Sequence, residues 1–388
     1  IVLCTIGVLF IYSSNVTVAG EVLSNEHIRQ LLWLVPGLAL CIGIAIIDYK
    51  IFHTMAWYIF GVSILLLIAT LLFGDVVYGG RRWLGFGGLG IQPSEFAKIG
   101  YIIILAVLLE QNRARLQSPL FLAILFGVTL VPFGLILIQP DLGTATVFIP
   151  VFFAMIFVAG ANIRFILLLL GIMGFSIFFA MLPAWNDFIA ETAHPIISIL
   201  NDPFFTVLIA AALYMIAILS AFGVFVIKKR GFMYGIYAGV TSGTGILGGF
   251  FIHSILREYQ LMRLVVFMNP NIDPRGAGWN IIQSLTAVGT GGFSGKGFLQ
   301  GIHSHSQYIP QQTTDFIFSI IAEEWGFLGA GLLFLLFMII IARGLIIMRR
   351  AKDGFGAYTA AGLVAMLFYH FTINIGMATG IMPITGLP

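Results

Sequence analysis

Long, nearly uninterrupted apolar runs recur from one end of this 388-residue chain to the other. Eleven of them can be read between polar breaks, at 1–19, 31–47, 54–73, 93–110, 119–138, 142–159, 163–183, 204–227, 232–252, 316–342 and 355–379. Each is close to the roughly 20 residues that cross a bilayer as a helix. In lipid only helices and closed barrels satisfy every backbone polar group, and these runs are too long and continuous for barrel strands. The fold class read from them is all-α, a polytopic transmembrane helix bundle. Charged residues make up 9% of the chain, against about 25% in a soluble domain, so there is no room for a soluble domain of normal size. The longest non-spanning stretch is 253–315.

A net charge of +3, with no basic tract, gives no reason to expect nucleic acid as a partner. Cys4 and Cys41 fall inside apolar runs, where they read as small buried hydrophobes rather than a disulfide framework. Residue 1 already lies within an apolar run and no basic leader precedes it, so both ends of the natural chain are expected to lie outside this sequence.

Lysine and arginine placement sets the expected orientation. One set of loops carries Lys50, Arg113, Arg115, Arg164, Lys228, Lys229, Arg230, Arg343, Arg349, Arg350 and Lys352, eleven in all and mostly in short loops. The opposite set carries Arg29, Arg81, Arg82, Arg257, Arg263, Arg275 and Lys296. The first side is therefore read as cytoplasmic, and the 74–92 and 253–315 loops as external. Asp75, Asp141, Asp187, Glu191, Asp202, Glu258, Asp273 and Asp315 fall on the external side, and chemistry is expected there.

The stretch Gly79–Lys98 is the first concentration of polar residues at membrane depth. Its glycines suggest an irregular external loop, with Pro93 and Glu95 suited to the first turn of the next helix. Glu95 and Lys98, three apart, share a face and form either a structural ion pair or a substrate contact. Trp83 is an interface anchor or a substrate contact. Arg81 and Arg82 can meet phospholipid headgroups or a substrate pyrophosphate. Asp141 reads as a helix-start residue.

In the long loop, Asn269-Pro270 and Asp273-Pro274 flank Asp273, and Gly276 and Gly278 follow. Such turns hold a carboxylate on a constrained backbone, although an Asx-turn is the commoner fate of Asp before Pro. Trp279, Ile282, Leu285 and Val288 then suggest a short helix on the membrane surface. His253, His303 and His305 lack zinc-ligand spacing. Of Glu323 and Glu324, at most one is expected to face the interior.

In order, the chain contains Arg82-Trp-Leu, Ile91-Gln-Pro-Ser-Glu-Phe-Ala-Lys98, Gln139-Pro-Asp-Leu-Gly-Thr144, Asp273-Pro-Arg-Gly-Ala-Gly-Trp-Asn-Ile-Ile-Gln-Ser284, Gly295-Lys-Gly297, Thr314-Asp-Phe-Ile-Phe-Ser319, Ala322-Glu-Glu-Trp-Gly326 and the stretch 374–388. This set resembles the SEDS family of peptidoglycan polymerases, and its closing stretch is similar to the elongation-type, RodA-like branch. The resemblance implies a glycosyltransferase that polymerises lipid II into glycan strands at the outer face of the cytoplasmic membrane. It implies Asp273 as the catalytic acid/base residue. Trp83, Glu95 and Lys98 match positions the family needs for activity, and Arg82, Lys98, Arg263, Arg275 and Lys296 would meet the pyrophosphate, with or without a divalent cation such as Mg2+ or Mn2+. Implied partners are lipid II, the growing glycan strand, a class B penicillin-binding protein, the elongation machinery and membrane lipids. Three positions depart from the family pattern. Thr313 stands where His is common and Leu261 where Arg is common, and 184–256 carries two spans beyond the usual ten-helix plan, read as an inserted helical pair. Rival readings are a flippase for the same lipid, suggested only weakly by Gln-Pro at the outer starts of two helices, and a noncatalytic scaffold for a wall synthase.

Overall fold

The computed structural model describes residues 1–77, 80–86, 89–188, 197, 199–200, 202–229, 231–256, 258–306 and 312–386. Gly79, Glu191, Arg230, Arg257 and Pro388 lie outside the described residues, as do the side chains of Asp187 and Glu258. The helices, in chain order, are α1 (Val2–Ser14), α2 (Glu26–Ile46), α3 (Lys50–Phe73), α4 (Pro93–Gln111), α5 (Pro119–Ile138), α6 (Leu142–Thr146), α7 (Phe148–Val158), α8 (Ile163–Phe188), α9 (Pro203–Phe222), α10 (Phe232–Ile255), α11 (Glu258–Met268), α12 (Ala277–Gly291), α13 (Ile302–His305), α14 (Ile317–Arg350) and α15 (Gly354–Ala378). A helix, or the α6–α7 pair, lies over each of the eleven apolar runs, and among the described residues eight helices are long and apolar enough to cross a membrane. The chain divides into two compact units, 1–161 with 280–388, and 162–279.

In the first unit α4 is the central helix. Ala97, Tyr101, Ile104, Leu105, Ala106 and Leu109 have no exposed surface, and α3, α5, α7 and α15 pack around them. The same helix carries Glu95, Lys98 and Glu110. A helix enclosed by protein tolerates charges that a lipid-facing helix would not. The contrast is α2, which has no buried residue and shows Leu32, Val35 and Ile46 outward. Cys4 and Cys41, expected as buried hydrophobes, are both exposed on such outward faces; an apolar run in lipid does not reveal which of its sides is turned to protein.

Within 74–92 the expected irregular loop is instead a three-stranded antiparallel sheet, β1 (Asp75–Val77), β2 (Gly80–Phe86) and β3 (Leu89–Ile91). Asp75 pairs with Trp83, and Leu84 with Ile91. Backbone near the membrane needs partners, and pairing the segment with itself supplies them. At the opposite end of the unit Tyr49 Oη donates to Asp353 Oδ2 at 2.6 Å, and Glu110 accepts from the Phe355 amide at 2.9 Å. The tyrosine hydrogen bond holds the Asp353 carboxyl below its ordinary range.

α14 is broken at Gly326, whose φ of 62° and ψ of −158° no residue with a Cβ adopts readily. The break lets Phe327 and Leu328 amides bond the carbonyls of Gly292 and Phe293. Phe10 of α1 packs edge-on against Trp325 at 4.8 Å, beside Ile6, Ile320 and Ile321.

The second unit is built on α8, α9 and α10. Glycines 239 and 243 of α10 face Ala217 and Tyr214 of α9, while Gly245 and Gly249 receive Phe175 and Phe179 of α8. Small residues at such contacts let helix backbones approach closely, which is how helices associate without a hydrophobic driving force.

Candidate active site

The sheet of the first unit sits against the start of α6. Arg82 on β2 donates from its guanidinium to the Pro140 carbonyl, and its Nε is buried with no partner among the described residues. Trp83, 38% exposed, lays its ring over Gly90 of β3, so sheet pairing rather than lipid anchoring alone sets its position. Arg81 points away, to the last carbonyls of α3 at Leu71 and Leu72.

Asp141 is a helix-start residue, as its place before Leu142 suggests. Its carboxylate accepts from the Thr144 amide at 3.2 Å and the Thr144 hydroxyl at 3.0 Å, and also from Gln92 Nε2 at 3.2 Å. With its oxygens so occupied it is poorly placed to take a proton from a substrate. Gln92 precedes α4, so this bond ties the start of α6 to the start of α4.

One turn further along α4, Lys98 Nζ is 2.8 Å from Glu95 Oε2 and 3.1 Å from His370 Nε2 on α15. Lys98 is 2% exposed. An ammonium has three donors and no acceptor, so His370 accepts at Nε2 and carries its ring proton on Nδ1. Two donors are taken by these partners, and among the described residues no partner for the third is seen. Glu95 Oε1 and Asn374 Oδ1, the latter one turn from His370, are buried without partners among the described residues. Buried polar atoms are nearly always paired, so orphans beside a charged pair mark a place for a polar ligand or water.

Lys296 lies in the same unit, partly exposed and 3.7 Å from Glu323 Oε1. Both Glu323 and Glu324 are fully buried, correcting the expectation that at most one would face inward. Their sides of α14 diverge, but α1 covers one and the 296–305 segment the other. Glu323 accepts from the His303 and Ser304 amides at 2.8 and 3.0 Å, and Glu324 from Ser13 Oγ at 2.5 Å and the Leu299 amide at 3.2 Å.

Asp273, Arg263 and Arg275 belong to the second unit. Asp273 is half-buried at the end of a 3-10 turn, and its Oδ1 accepts from the Gly276 amide at 3.0 Å, three residues on, which folds the carboxylate back over its own turn. Its carbonyl accepts from Gly278 at 2.9 Å. A Cβ on Gly276 would sit 2.1 Å from Asp273 Oδ2, so only glycine there leaves room for the folded-back carboxylate. Arg275 is exposed; Arg263 is half-buried on α11. Among the described residues no three His, Cys, Asp or Glu side chains converge as a metal cage requires.

His370 was not singled out by sequence reasoning. The usable signal was an ionisable residue inside an otherwise apolar run.

The chain matches the family described as "Cell cycle protein", FTSW_RODA_SPOVE, over residues 1–190 and 188–388. It is 40% identical over 390 residues to the peptidoglycan glycosyltransferase RodA of Treponema pallidum, covering all of this chain and 89% of that protein. It is 31% identical to the stage V sporulation protein E of Bacillus subtilis (all of this chain, 87% of that one) and 30% identical to the peptidoglycan glycosyltransferase MrdB of Escherichia coli K12 (98% and 84%). Among solved structures it superposes with TM-score 0.63 and 25% identity on a chain of a peptidoglycan synthase complex that coordinates polymerization and crosslinking, covering 100% and 88%. The fold is also that of Thermus thermophilus RodA, with TM-score 0.56 over 100% and 84%.

Proposed function

The chain belongs to the FtsW/RodA/SpoVE family, a multi-pass membrane peptidoglycan glycosyltransferase, and from that premise we propose that it polymerises lipid II during cell elongation at the outer face of the cytoplasmic membrane. The observation that carries this reading is full-length identity of 40% to a RodA glycosyltransferase.

A sugar hydroxyl of one substrate attacks the anomeric carbon of the other. The glycosidic C–O bond forms, the bond to the lipid pyrophosphate breaks, and the configuration inverts. The hydroxyl proton passes to the Asp273 carboxylate, a base that a weak nucleophile requires. Supporting this role, the bond from the Gly276 amide and the close approach of Gly276 restrict where the carboxylate can point. The departing pyrophosphate is met by cations, for which Lys98, Arg82, Arg263, Arg275 and Lys296 are proposed. Lys98 has a donor to spare and is held by Glu95 and His370. Trp83 offers an apolar face for substrate. A divalent cation would come with the substrate's phosphates. Purified protein given lipid II in detergent should make glycan polymer. Transport in vesicles without polymer would point to a flippase, and neither activity with intact partner binding would leave a scaffold.

The orientation is tested at the α9–α10 turn, where Lys228 caps the five-residue π-helix Gly223–Ile227 and Lys229 follows it. With Cys4 and Cys41 replaced by Ser, Lys229→Cys should resist an impermeant thiol reagent in intact spheroplasts and react after lysis. Efficient labelling from outside would overturn the external placement of Asp273.

The proposed partner is a class B penicillin-binding protein whose transmembrane helix packs on the bundle, in line with the synthase complex this chain superposes on. The two should co-purify from membranes in mild detergent. Recovery of this chain alone across several mild detergents would count against a stable pair.

A further inference from the structure

Resting on the polymerase reading above, we infer that Glu323 is a positioning residue that sets Lys296, through the loop both hold, for contact with the substrate's phosphates. Glu323 is wholly buried, yet it lies within reach of one flexible cation on a partly exposed loop, Lys296, at 3.7 Å. Its carboxylate is saturated by the same loop, from the His303 amide, the Ser304 amide and Ser304 Oγ at 2.8, 3.0 and 3.0 Å. The backbone is tied as well. Lys296 and Gly297 amides bond the carbonyls of Glu323 and Glu324 at 3.1 and 2.9 Å, just before the break at Gly326.

The neighbouring carboxylate completes the clamp. Glu324 holds the Leu299 amide and Ser13 Oγ, with His305 Nε2 at 3.2 Å, and His305 Nδ1 in turn lies 2.6 Å from the Val16 carbonyl. Lys296 is thus bracketed, by the Glu323 carbonyl on its own amide, the Glu324 carbonyl on the amide of Gly297, and loop bonds three and more residues on. Two adjacent buried carboxylates are a costly arrangement unless hydrogen-bonded and paired. A hydrophobic pair would fill the same space more simply. What the carboxylates add is a fixed backbone path for 296–305 and a negative charge that limits where the Lys296 ammonium rests. A loop lysine so held keeps its charge toward a phosphate at lower ordering cost than a free one.

The test is a double-mutant cycle on lipid II polymerisation, using the full chain and resolving KM from kcat. Lys296→Met and Glu323→Gln should each raise KM by about tenfold, the scale of one lost charge-assisted contact. The combined variant should be no worse than the worse single one, because Glu323 acts only through Lys296. Ser304→Ala, which removes one donor to Glu323 and disturbs packing less, should give a smaller rise that disappears in the Lys296→Met background; it stands in if Glu323→Gln does not fold. Effects that multiply in the double variant would assign Glu323 to stability alone and overturn the inference. So would a Lys296→Met protein with unchanged KM. Absence of polymer from the unmodified protein would instead overturn the polymerase reading on which the inference rests.

Discussion

Asp273→Asn is expected to lower lipid II polymerisation by about 10²–10⁴-fold, the usual contribution of a general base, while leaving folding and substrate binding intact. The substitution suits the site. Asn keeps the side-chain oxygen that accepts from the Gly276 amide, and it tolerates the same turn. Only the capacity to take a proton is removed. Asp141→Asn is the matched control. That carboxylate is spent on Thr144 and Gln92, and Asn caps helices about as well as Asp, so activity should fall far less. Polymerisation by Asp273→Asn at near the unmodified rate would end the assignment and make Glu95 the next carboxylate to test.

Lys98→Met is expected to cost about 10²–10³-fold in kcat, comparable to losing one preorganised group that meets developing charge. Met reproduces the lysine stem out to Cε without the ammonium and suits a site only 2% exposed. The change strands Glu95, whose carboxylate loses its only cation within 4 Å among the described residues. Pairing it with Glu95→Gln therefore separates the two effects. The double variant should regain thermal stability in detergent yet remain inactive if the ammonium serves the reaction. Recovery of activity in the double variant would make the pair purely structural. Lys98→Arg should not substitute, since a planar fork cannot occupy a pocket shaped for a point charge between Glu95 and His370.

Several features within each unit obey local rules and were therefore open to reading in one dimension. Three-residue spacing on a helix puts Glu95 beside Lys98, and the structure pairs them at 2.8 Å. Asp141 before Leu142 is a cap, and Asp273 before Pro274 sits in a tight turn with its carboxylate on the Gly276 amide. The apolar runs became helices because lipid leaves the backbone no other open form. The Asp273 motif drew attention to a carboxylate that local physics alone ranks among several.

What lay beyond reach were relations between residues far apart in the chain. His370 meets Lys98 across 272 positions, and Ser13 meets Glu324 across 311. No periodicity encodes such contacts. The one-sided view of Glu323 and Glu324 followed from helix geometry in isolation, where neighbours diverge by about 100°; it failed because α1 and the 296–305 segment enclose α14 from both sides. The glycine-rich 74–92 stretch paired with itself into a sheet, a result of backbone satisfaction that residue composition does not announce. The cysteines went the other way, since uniformly apolar helices look alike on every side until packing decides which side meets protein and which meets lipid. Class, helix positions and the ion pair at the start of α4 were thus determined by the sequence alone, through short-range sterics and backbone hydrogen bonding. Which charges are enclosed, and by what, was decided only when distant helices came together.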